Sequence, residues 1–209
     1  MTTTKDKILQ KIKQALVTKV PVPFLTNSNH SELFQPSLKE LEIEFAEHFT
    51  GLQGKFSFCA NEQELASQLM QLISARKWDK VFCKETAFCE LLRIKGFDKD
   101  FTNDLANCDV SITSCEYLVA RTGSMILSSA TVSGRTTSVY APIHICLAKT
   151  KQLVYSIDQA LMGISEKYGA NIPSMITLAT GPSRTADIEK TLVVGVHGPK
   201  EVFCFLTDD

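Results

Sequence analysis

FSFCANEQELASQLMQLISARKWDKVFCKETAFCELLRI, residues 56–94, passes twice from a short apolar run into a longer mixed segment. Phe56–Cys59 and Lys80–Cys83 have the length and composition of strands, whereas Glu62–Ser74 and Thr86–Ile94 read as helices. Asn61 stands at the N-cap of the first helix with Glu64 three residues later, the spacing of a capping box. Strand and helix in alternation are the signature of βαβ units on a mainly parallel sheet with flanking helices.

Working toward the C-terminus, Val110–Thr113, Tyr117–Ala120 and Ser124–Ser128 follow one another too closely for crossover helices. A hairpin or meander inserted in the α/β framework is expected there, turning at Thr122-Gly123. Alternation then resumes: strand Pro142–Ala148, helix Ser156–Lys167, strand Met175–Ala179, helix Ser183–Thr191 and strand Val202–Leu206. Toward the N-terminus, residues 4–19 carry Ile8, Ile12, Ala15 and Leu16 at helical spacing, and a loop is expected around Pro21, Pro23 and Asn27–Asn29. A second helix is expected over Leu38–Phe49. The expected organisation is a helical appendage over 1–54 and one α/β domain over 55–209, within the usual size of a single core.

Composition narrows the function classes. Lys and Arg total 22 against 23 Asp and Glu, and no basic stripe interleaved with aromatics appears, so nucleic acid is a poor partner. No apolar run approaches the roughly 20 residues that span a bilayer, and the N-terminus lacks a secretory signal pattern, which predicts a cytoplasmic protein. The seven cysteines contain no C-x-x-C pair, which argues against a disulfide framework, a zinc ribbon or an iron–sulfur cluster carried by this chain. His48, His144 and His197 are too dispersed for a metal claim, so neither metal nor cofactor is expected in this chain.

Three stretches can carry chemistry. In Thr180-Gly181-Pro182-Ser183-Arg184-Thr185-Ala186-Asp187, an apolar strand is expected to turn into a helix whose N-terminus binds an anion. Gly181 would permit close backbone approach, Thr180, Ser183 and Thr185 would add hydroxyls, and Arg184 would grip a carboxylate or phosphate. A well-capped helix with Arg184 paired to Asp187 or Glu189 is the competing reading. Gly195-Val196-His197-Gly198-Pro199 displays a histidine in a tight turn, either as a hydrogen-bond donor or general acid–base or as an exposed residue without a role. Arg121-Thr122-Gly123-Ser124 and Gly134-Arg135 read as a polar loop facing an anion or as a solvated hairpin. His144, among apolar neighbours, reads first as a satisfied core histidine and second as a strand-end residue near a site.

The order Thr122-Gly123-Ser124, Pro142-x-His144-Ile145, Thr180–Glu189 and Gly195–Pro199 resembles the LUD-domain proteins of the lactate-utilisation protein C type over roughly residues 55–206. That resemblance implies a fold like the ribose-5-phosphate isomerase and CoA-transferase group. It also implies an accessory role in oxidising L-lactate to pyruvate beside iron–sulfur-containing partner subunits, with the clusters on those partners. Gly181, Ser183, Arg184, Asp187, His197 and Gly198 carry over as motif positions. Arg121 stands where the family commonly has an acidic residue. Two other readings stay open: a free-standing isomerase- or CoA-transferase-like enzyme with Asp187 or His197 as general base and Arg184 on the anion, and a non-catalytic ligand-sensing module.

Overall fold

The computed structural model describes residues 3–17, 37, 39–186 and 192–208. The chain divides into two compact units, 1–36 and 37–209. In the first, helix α1 covers Thr4–Val17; the loop expected around Pro21–Asn29 lies outside the described residues. The second unit opens with α2 (Leu41–Gly51), whose Phe45 and Phe49 are fully buried.

The elements then follow as β1 (Lys55–Cys59), α3 (Glu62–Arg76), β2 (Val81–Cys83), α4 (Thr86–Ile94), β3 (Phe101–Thr102) and β4 (Val110–Ser114). After β5 (Tyr117–Val119) and β6 (Ser124–Ser128) come α5 (Thr137–Tyr140), β7 (Ile143–Lys149), β8 (Leu153–Val154), α6 (Ile157–Tyr168) and β9 (Ile176–Ala179). β10 (Arg184–Ala186), β11 (Leu192–Val194) and β12 (Glu201–Thr207) complete the described elements. Local chemistry sets several boundaries. The Asn61 side chain accepts from the Glu64 amide at 2.9 Å, and Ser156 and Gln159 form a reciprocal box at the start of α6. α3 ends where Lys77 turns left-handed at φ 55°.

Six strands form one sheet in the order β1-β12-β7-β4-β2-β3, and each neighbouring pair runs parallel. A parallel sheet needs both faces covered, and side chains one residue apart point to opposite faces. On one face Ile143, Ile145 and Leu147 of β7 join Phe203 and Phe205 of β12 beneath α3 and α4. On the other, Cys146, Ala148, Cys204 and Leu206 pack against α2 and a second sheet. That sheet has the order β8-β5-β6-β9, with β5–β6 and β6–β9 antiparallel, and α6 covers its far side through Ala160 and Ile164. The expected hairpin is thus the β5–β6 pair, but it belongs to a separate layer, and β4 joins the main sheet instead.

One expected element is different. The segment from Ser183 does not begin a helix: Arg184–Ala186 is a strand, paired antiparallel with Leu192–Val194. The Ser183 amide donates to the Pro199 carbonyl at 3.0 Å, and the Gly195 amide donates to the Ser183 carbonyl at 2.9 Å. The first bond claims an amide that a helix start would leave free, and the second occupies the carbonyl that would accept the first intrahelical bond. Asp187 and the rest of the expected helix, 187–191, lie outside the described residues.

Candidate functional site

The two glycine-containing motifs meet. Gly181, at φ +80°, turns the chain after β9 so closely over Leu52 that a Cβ there would lie 2.6 Å from the Leu52 carbonyl oxygen. Gly198 packs against Ser183, where an added Cβ would sit 2.9 Å from the Ser183 Cβ. Pro142 is joined to the same junction, because the Lys200 amide donates to its carbonyl at 2.7 Å. The start of β7, the start of β12 and the end of β9 therefore converge.

They enclose a cleft of about 280 Å³. Its polar lining comes from Ser138, His144, Thr177, Thr180, Ser183 and His197; Leu127, Val139, Leu178 and Val202 supply apolar walls. Among the described residues no Lys, Arg, Asp or Glu lines it. The cleft lies at the amino ends of β7 and β12 in the main sheet and at the carboxyl end of β9 in the second. The carboxyl ends of β7 and β12 border a separate cavity of about 220 Å³ between α3 and α4, lined by Leu65, Phe88, Leu147 and Lys149 among others. None of the site residues expected from the sequence lines that cavity.

Thr180, Gly181, Ser183, His197 and Gly198 all border the cleft, with His197 exposed at it. Ser124 stands behind Thr180, its hydroxyl 2.8 Å from the Thr180 hydroxyl. Gly123 instead serves packing: its turn lies against α2, with His48 Nδ1 2.8 Å from the Ala120 carbonyl oxygen. Arg184 points elsewhere and donates to the Leu52 carbonyl at 2.6 Å. Thr185 pairs with Val193 in the β10–β11 ribbon, and Arg135 donates to Ser174. Thr180, Gly181 and Ser183 thus reach the cleft without a helix start and without Arg184, beside glycine backbone and two imidazoles.

His144 combines both of the roles its sequence context allows. It is 1% exposed, and its Nε2 lies 2.8 Å from Thr113 Oγ1 on the neighbouring strand, as a satisfied core histidine would. Yet it also forms part of the cleft. Burial pushes its pKa down to about 4, so the ring is neutral at neutral pH. The available sequence signal was its place on the face that β7 otherwise fills with Cys146 and Ala148. Ser138 and Thr177 carried no such signal.

Buried thiols surround the core rather than the cleft. Burial raises Cys59 to about 11, and Cys115 and Cys146 are held well above the usual thiol value, Cys115 chiefly through its contact with Cys146. Among the described residues no group of three or more His, Cys, Asp or Glu is placed to hold a metal ion. Nor is any described helix long and apolar enough to cross a membrane.

Comparison with known proteins gives this geometry a context. A lactate utilization protein C of a Geobacillus species is 40% identical over 103 residues, 48% of this chain and 43% of that protein. One from Anoxybacillus flavithermus is 29% identical over 162 residues, covering 71% of this chain and 72% of that protein. The chain spans under half the length of several of the curated relatives it matches. The crystal structure of a DUF162 family protein from Deinococcus radiodurans has the same overall fold at 17% identity, with a TM-score of 0.60 over 83% of this chain and 99% of that one. The LUD domain matches residues 3–207, nearly the whole sequence, and the chain belongs to the LUD-domain family.

Proposed function

We propose that this chain acts in lactate utilisation as an accessory subunit that binds a small carboxylate in the cleft between β7, β9 and β12. The observation that carries this reading is the convergence of Thr180–Ser183 with His197–Gly198 on one cleft, two motifs separated in sequence and joined by the Ser183–Pro199 hydrogen bond. Hydroxyls from Thr180 and Ser183 and the exposed His197 imidazole supply hydrogen bonds to a carboxylate, and bonds to an ionised acceptor are about twice as strong as neutral ones. The name carried by the relatives supports lactate utilisation as the setting. In this reading electron transfer belongs to iron–sulfur-containing partner subunits, in a cytoplasmic assembly, and this chain binds and positions.

Deletion of the gene tests the setting: growth on L-lactate should fail and return on complementation, and the chain should co-purify with cluster-bearing subunits. Normal lactate growth of the deletion strain overturns the reading. Calorimetric titration of the purified chain tests the site. Saturable carboxylate binding that weakens at least about five-fold in His197→Ala is expected, equivalent to about one hydrogen bond.

A further inference from the structure

β7 begins with an arrangement that a packing role alone does not require. His144 has Val202 of β12 on one side and Ser111 of β4 on the other in the strand register. Its Nε2 is committed to Thr113, which leaves Nδ1 as the ring nitrogen available to a ligand. The ring is 99% removed from solvent, but it borders the cleft. Nδ1 is not one of the sealed, unpartnered polar atoms among the described residues, so it keeps access to the cleft that the ring borders, and a ligand oxygen there would give it a partner.

We propose that His144 is a specificity-determining residue whose Nδ1 hydrogen-bonds an uncharged oxygen on the carbon next to the ligand carboxylate. The cleft then selects α-hydroxy and α-keto acids over plain carboxylates of the same size. This inference rests on the reading that the cleft holds a small carboxylate. The physical reason is the division of polarity within the cleft. His197 is exposed and Thr180 and Ser183 stand with it, so the carboxylate is best served there, beside solvent. At the buried end stands a ring that burial keeps neutral, suited to an uncharged oxygen rather than to a second charge.

Thr113 gives the ring two settings. With the Thr113 hydroxyl donating to Nε2, the proton sits on Nδ1, which donates to a carbonyl or hydroxyl oxygen. With Nε2–H donating to Thr113, Nδ1 accepts and only a hydroxyl satisfies it. A hydroxy acid fits both tautomers and a keto acid fits one.

The test compares L-lactate, pyruvate and propionate, which is lactate without its hydroxyl, by calorimetry on the full chain. Histidine ¹⁵N resonances are followed by NMR alongside. Lactate should bind about ten-fold more tightly than propionate, and in His144→Phe the ratio of lactate to propionate affinity should fall to about one. Lactate, but not propionate, should shift His144 Nδ1 in the wild-type protein, a readout that holds whether or not His144→Phe folds. Equal affinities for lactate and propionate, or a preference that persists in His144→Phe, overturn the role of His144 and leave the carboxylate reading standing. Absence of saturable binding for all three acids overturns both.

Discussion

Gly181 shows at one residue how the cleft depends on backbone freedom. At φ +80° and within reach of the Leu52 carbonyl, it has neither the conformational nor the physical space for a side chain. Gly181→Ala should destabilise the protein by about 1–3 kcal/mol in urea unfolding, and it should weaken ligand binding because the Ser183 backbone shifts with it. Arg184 offers the contrast. With its guanidinium on the Leu52 carbonyl, Arg184→Gln should leave lactate affinity within about two-fold while lowering stability by about 1 kcal/mol. His144 predicts a pH dependence whose sign is fixed. Its folded pKa of about 4 lies below the usual 6.5, so between these values the unfolded chain binds more protons. Stability should therefore fall as pH drops from about 6.5 to 4, by up to about 3 kcal/mol relative to His144→Phe in paired urea titrations.

Among elements, those whose signals are local were the legible ones. α4 runs over the expected Thr86–Ile94, and α3 starts at the expected cap because Asn61 and Glu64 are three residues apart and need no distant partner. Asn61→Ala should lower the unfolding free energy by about 1 kcal/mol with little change in ligand binding. The Ser183–Ala186 segment differs from its expected state because its sequence supports a helix start, with hydroxyls followed by acidic residues. Its competitor is invisible locally: the Arg184–Ala186 strand exists through pairing with Leu192–Val194 and through the Ser183 bond to Pro199. The cleft was legible to the extent that Thr180, Gly181, Ser183, His197 and Gly198 all reach it. His144 was not placed there, since its neighbour Thr113 is 31 residues away and strand pairing alone brings the two together.

At the scale of the whole molecule, the joint between the two sheets lies where β4 passes into β5. There Glu116 is almost completely buried, and its carboxylate accepts from Ser128 at 2.6 Å, Tyr168 at 2.7 Å and Lys167 at 2.8 Å, tying β6 and α6 to the joint. Burial opposes the charge, but the hydrogen bonds from Lys167, Ser128 and Tyr168 outweigh it and hold the carboxyl below its usual 4.5. A depressed carboxyl contributes stability above the usual value and loses that contribution as pH falls through the lower folded one. Tyr168→Phe should cost about 1–3 kcal/mol in unfolding and raise the midpoint of acid denaturation, read by circular dichroism. By itself the sequence determined the parallel α/β framework, most helix and strand positions and the two glycine motifs, because periodicity, caps and tight turns act within a few residues. Only the tertiary structure decided that the hairpin strands form a second sheet, that the segment after Gly181 is a strand and that His144 borders the cleft. Each of these depends on partners far along the chain, and the free energy of such pairings is set by what the fold brings alongside rather than by the residues of the segment itself.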